Sequence, residues 1–138
     1  MTAMIDTSVW VWAGRATAVN EDLQARARAG AIATCHPVQF ELLYSARNAQ
    51  EYAYIRERFD RLPLIAVDHA VWERALDVNE EMARQGGMQH RQVRQPDLLI
   101  AAAAELAGIP VLHYDADYER ISEITGQPTQ WVRPRGSL

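Results

Sequence analysis

The chain has 138 residues and 49% hydrophobic content, the size and apolar share of one domain spanning residues 1–138 and able to fold alone. No apolar run is long enough to cross a bilayer, and the opening "MTAMIDTSVWVW" lacks the basic region and cleavage site of a signal peptide, so a cytoplasmic location is expected. A net charge of -4 excludes general attraction for a polyanion; a phosphate-bearing partner needs a local basic patch or a bound cation.

In chain order, "AMI" before Asp6 predicts a short strand, and Thr7 and Ser8 supply helix-start chemistry for "TSVWVW". Asn20 is expected to cap a helix running to about Arg28 and stopped by Gly30. "AIATC" is the next apolar run, and Pro37 fits the first turn of a helix carrying Glu41, Leu42, Leu43 and Ala46. "AQEYAYIRERFDRL" predicts a helix ending before Pro63, and "LIAV" a third strand. Asp68 caps a long helix through Met82, and "RQGGMQHRQVRQ" is a polar loop. "PDLLIAAAAELAG" is apolar nearly all round, so it is expected to be a buried helix. "PVLHY" gives a fourth strand and "TQWV" a short fifth. Alternating strands and helices predict an α/β domain with a central parallel sheet of four to five strands, covered by helices on both faces.

All fourteen basic residues are arginine. The missing lysine removes P-loop and Schiff-base chemistry. The single cysteine, Cys35, has no disulfide partner and reads as a small buried filler.

The acids carry the chemistry. In a parallel α/β sheet, ligands bind beyond the carboxyl ends of the strands, where strand order reverses. Asp6 ends one predicted strand, Asp115 ends another, Asp97 opens the buried helix feeding the second, and Glu41 borders the apolar face of its own helix. Singly, each has a plain structural role: Asp115 and Asp117 as a turn and cap, Asp97 as a favourable charge at a helix N-terminus, Glu41 as a solvated helix residue. Together they converge if the two strands are neighbours. Two carboxylates roughly 4 Å apart at an effective dielectric of about 20 repel by about 4 kcal/mol, so such a cluster must take up protons or a cation. An all-oxygen set suits magnesium, or manganese, better than zinc. That chemistry is metal-assisted phosphodiester hydrolysis by an activated water.

These segments resemble, end to end, the PIN-domain ribonuclease toxins of bacterial toxin-antitoxin operons, the VapC type: "MIDTSVW", "ELLYSAR", "PDLLIAAAAELAG", "VLHYDADYERI" and the tail "WVRPRGSL". The resemblance implies a magnesium-dependent endoribonuclease with Asp6, Glu41, Asp97 and Asp115 as its core acids, Asp6, Asp97 and Asp115 contacting the metal, and Asp117 and Ser8 auxiliary. It also implies a homodimer and a cognate antitoxin that inserts a peptide near the acids. The family often has Phe after the last acid; Tyr118 stands here, and its hydroxyl needs a partner.

Arg91 and Arg94, with His90, form a basic run just before Asp97 and are candidate contacts to an RNA backbone. His36, His69 and His113 have no ligand spacing and are assigned structural roles; the four tryptophans are assigned to core or interface. Two other classes compete. An aspartyl-phosphate phosphatase or receiver also places acids at strand ends, but its usual lysine is absent, and no acid follows Asp6 at the second position, as the phosphatases require. A catalytically silent RNA-binding or adaptor domain of the same fold would normally lack one of the acids.

Overall fold

The computed structural model describes residues 1–138. Four parallel strands, β1 (Ala3–Ile5), β2 (Ile32–Ala33), β3 (Val111–His113) and β4 (Thr129–Trp131), form one sheet in the order β2-β1-β3-β4. Seven helices surround it: α1 (Thr7–Ala13), α2 (Thr17–Arg28), α3 (His36–Leu43), α4 (Ala49–Asp60), α5 (His69–Gln85), α6 (Gln95–Ala107) and α7 (Asp117–Thr125). Successive side chains of a strand point to opposite faces, and β1 shows the consequence. Met4 joins the larger core with Ile100, Tyr118 and Val111, whereas Ala3 and Ile5 join the smaller one with Val9, Val19, Leu23 and Leu112.

The helix over "PDLLIAAAAELA" is buried from Asp97 to Ala104, as its composition predicts, and surfaces at its end, where Leu106 is exposed. The run of alanines leaves few polar groups to satisfy, and the side chain of Gln127 donates to the Ala101 carbonyl at 2.9 Å. Gly108, with φ +70°, terminates this helix in the left-handed conformation, and the chain turns directly into β3.

Two expectations are corrected. "LIAV" forms no strand: Leu64 makes a single parallel bridge to Thr34 beyond β2. The segment follows Pro63, lies at the sheet edge and leaves Leu64 50% exposed, so pairing stops after the hydrogen bonds of Thr34 to Pro63 and of Ile65 to Thr34. Asn20 caps nothing, because α2 already begins at Thr17. The Trp12 carbonyl accepts from both Arg15 and Ala16, which reverses the chain sharply after α1, and burial of Val19 and Leu23 then fixes the helix. The helix capped by Asp68 runs on past Met82 to Gln85. The polar loop after it contains a short 3-10 turn at Gln89–Arg91, tied to α5 by the Asn79 side chain on the His90 carbonyl.

Candidate active site

From β1 the chain crosses to β2 on one side, and β3 pairs on the other, so strand order reverses between β1 and β3. That is where a doubly wound sheet opens a crevice at its carboxyl edge. The Asp6 amide still donates to the Leu112 carbonyl at 3.0 Å, so the ladder itself carries Asp6 to the rim. Asp6 also caps α1. Its Oδ2 accepts from the Ser8 amide (3.0 Å) and the Ser8 hydroxyl (2.5 Å), and its Oδ1 accepts from the Tyr118 hydroxyl (2.5 Å). The Ser8 hydroxyl in turn accepts from the Tyr114 amide at 2.9 Å, which pins the end of β3 to the start of α1.

The remaining acids arrive from three helices and the end of β3. Glu41, on the second turn of α3, accepts the Thr7 hydroxyl at 2.8 Å through Oε1. Asp97, in the first turn of α6 after Pro96, is 4% exposed. Asp115 follows β3, and its Oδ1 accepts the Asp117 amide at 2.9 Å, so it closes the turn into α7 while facing the crevice. The turn role and the site role coexist in one residue. Carboxylate oxygens of Asp6, Glu41 and Asp97 all lie within 4.8 Å of one another, as do those of Asp97, Asp115 and Asp117. Asp97 belongs to both groups.

The electrostatic consequence is a shared proton load. Burial, then the charges of Asp6, Asp115, Glu41 and Asp117, push the Asp97 carboxyl up to about 8. Burial also raises Asp6, against the lowering effect of its bonds from Ser8 and Tyr118, and raises Glu41, against Thr7 and Arg94. Asp117 is raised by burial and by Asp115. The donor set therefore fits a hard divalent cation: all oxygen, close together, and costly to leave ionised without one. These acids, except Asp117, line a cavity of about 220 Å³ with Thr7, Ser8, Val11, Trp12 and Arg94.

Arg94 reaches this cavity, its Nη2 lying 3.9 Å from Glu41 Oε2. Arg91 does not line it; its Nη1 rests 3.4 Å from the Met88 sulfur. His113 is fully buried, and burial lowers its pKa to about 4. Its Nδ1 accepts the Asp115 amide at 3.2 Å, and its ring stacks on Tyr118, a structural role.

Two contributors were hidden at sequence level. Thr7 reads as helix-start chemistry yet orients Glu41, and Tyr118 reads as a packed ring yet bonds Asp6. For Tyr118 the signal was present, since a buried hydroxyl must find a partner.

Residues 3–124 match the PIN domain family. Over all 138 residues, and the whole length of the relative, the chain is 44% identical to ribonuclease VapC18 of Mycobacterium tuberculosis. The chain is a PIN-domain protein, belonging with the VapC ribonucleases. Ribonuclease VapC51 of the same organism is 38% identical over 135 residues, covering 98% of this chain and 96% of the relative. Among solved structures, DNA-bound VapBC from Salmonella typhimurium superposes with a TM-score of 0.76 at 20% identity, covering 96% of this chain and 100% of that chain. VapBC2 from Rickettsia felis bound to a promoter DNA fragment gives 0.74 at 19% identity, covering 95% and 98%. The fold is thus shared with DNA-bound VapBC assemblies, while the sequence relatives are ribonucleases by name.

Proposed function

We propose that this protein is a magnesium-dependent endoribonuclease, the toxin of a toxin-antitoxin module, with Asp6, Glu41, Asp97 and Asp115 as its catalytic acids. The observation that carries this reading is the sharing of Asp97 between two sets of three carboxylates at the strand-order switch, with Asp6, Glu41, Asp97 and Asp115 lining one small cavity. Asp6, Asp97 and Asp115 would hold the ion, Asp97 linking the group of Asp6 and Glu41 to that of Asp115 and Asp117. A bound magnesium, or manganese, supplies Lewis acidity to the scissile phosphate and acidifies a water. The chain's own groups do the rest. Ser8 and Thr7 hold the Asp6 and Glu41 carboxylates in fixed orientations. Glu41 Oε2 is left facing the cavity beside Arg94, and the Arg94 guanidinium stands ready for a backbone phosphate.

Relatives in solved VapBC assemblies share this fold, which supports a cognate antitoxin as partner. A groove of about 380 Å³ between α3, α5 and α6 fits the inserted peptide: Pro37, Phe40, Tyr44 and Trp72 line it, and Glu41 joins it to the acid cavity. Phe40 and Tyr44 are 56% and 81% exposed, the apolar surface a partner would cover. A homodimer is part of the same proposal.

The test is direct. Purified protein incubated with RNA and magnesium cuts it; EDTA stops the reaction, and added magnesium restores it. Asp97→Asn lowers kcat at least a hundredfold, since it removes the carboxylate common to both groups. Cleavage by Asp97→Asn at the wild-type rate would end the proposal.

A further inference from the structure

The hydroxyl of Tyr118 is a fully buried group that bonds the carboxylate of a proposed metal-binding acid from the core side. Tyr118 is fully buried at the start of α7, with its ring stacked on His113 at a centroid distance of 5.0 Å. The phenol donates to Asp6 Oδ1 at 2.5 Å, across 112 positions of the chain. On the other oxygen, the amide and hydroxyl of Ser8 both donate to Oδ2. An ionised carboxylate offers about four acceptor positions. Three of them are thereby taken by fixed donors, and only one is left toward the cavity.

We infer that Tyr118 is a positioning residue: its hydroxyl, opposing the Ser8 clamp, holds the Asp6 carboxylate in one rotation and leaves it a single free acceptor position for a divalent cation. This rests on the metal-dependent reading of the same cavity, and it assigns to Tyr118 a task beyond packing. The packing requirement is met by the ring alone, which fills its space between His113 and the larger core. The hydroxyl makes one bond in the protein, and it goes to Asp6. Without it, the Asp6 side chain keeps only the donors at Oδ2 and can pivot about them. Groups that bond a metal ligand from behind commonly change metal affinity tenfold to a hundredfold when lost.

The experiment is a calorimetric titration of the full chain with Mn2+ alone, comparing wild type, Tyr118→Phe and Ile121→Val. Ile121 is buried on the same helix and makes no bond to the acids, so Ile121→Val reports what a purely structural lesion of α7 does. Tyr118→Phe is expected to weaken Mn2+ binding about tenfold, with an unchanged far-ultraviolet circular dichroism spectrum, a lowered kcat and an unchanged KM for RNA. Ile121→Val should keep wild-type Mn2+ affinity even where its melting temperature falls as far. Wild-type affinity in Tyr118→Phe, or an equal loss in Ile121→Val, overturns the inference. The nuclease reading fails on a different result: wild-type protein that binds Mn2+ and leaves RNA intact.

Discussion

Arg94 is the arginine that lines the acid cavity, yet its tie to the acids is weak. Its side chain is 75% exposed, and the 3.9 Å approach to Glu41 is a long, solvated ion pair. Such pairs contribute little to stability, so Arg94 is available to a phosphate at small cost. Arg94→Ala is therefore expected to raise KM for RNA several-fold and to reduce the salt dependence of binding by about one phosphate contact. Arg91→Ala should change KM less, because Arg91 lies outside the cavity. Steady-state kinetics at two salt concentrations decides both. At this scale Asp6, Asp97 and Asp115 stood out before the fold, since each ends a strand or opens a helix whose apolar pattern is plain, whereas Glu41, inside α3, stood out only by the apolar face it borders. The hydroxyls were not: Thr7 meets Glu41 and Tyr118 meets Asp6 across long stretches of chain, and no periodicity encodes such a meeting.

Elements place those residues, and α6 matters most among them. Its first turn carries Asp97 and its end feeds β3, from which Asp115 follows. Gly108 makes that handover at φ +70°, with open space around its Cβ direction. Gly108→Ala then tests backbone conformation alone and is expected to cost about 1 kcal/mol by urea denaturation, without loss of magnesium-dependent cleavage. The long helices were legible because periodicity and caps agree, as at Asp68, whose side chain accepts the Val71 amide at 3.1 Å. "LIAV" misled because a short apolar run at a sheet edge looks like a strand whether or not a partner extends it. Asn20 misled because a tight reversal after Trp12 started the helix sooner than side-chain capping required.

For the whole molecule, the gathered acids set how stability follows pH. The Asp97 carboxyl stands near 3.8 unfolded and is raised to about 8 when folded, so the folded state holds its proton more tightly. That contribution is complete below the unfolded value and is lost as pH rises through about 8. Asp6, Glu41 and Asp117 are shifted in the same direction. In EDTA, the melting temperature is therefore expected to be lower at pH 9 than at pH 6. On the proposed function magnesium takes the proton's place, and it should then raise the melting temperature more at pH 9 than at pH 6. Equal magnesium-induced shifts at the two pH values, measured by scanning calorimetry, would contradict the coupling. The fold class was legible from strand and helix alternation; the number of strands was not, since strands of two or three residues carry little pattern.

The sheet order also governs when the acids can meet. The first strand must wait for β3, whose residues come more than a hundred positions later, before its own second edge is paired. A nascent chain on the ribosome therefore displays Asp6 early but has no Asp97 or Asp115 to set against it until synthesis is well advanced. Stalled or truncated products that stop before β3 carry the first acid without the residues that close the pocket around it, so the candidate site comes together only late in synthesis.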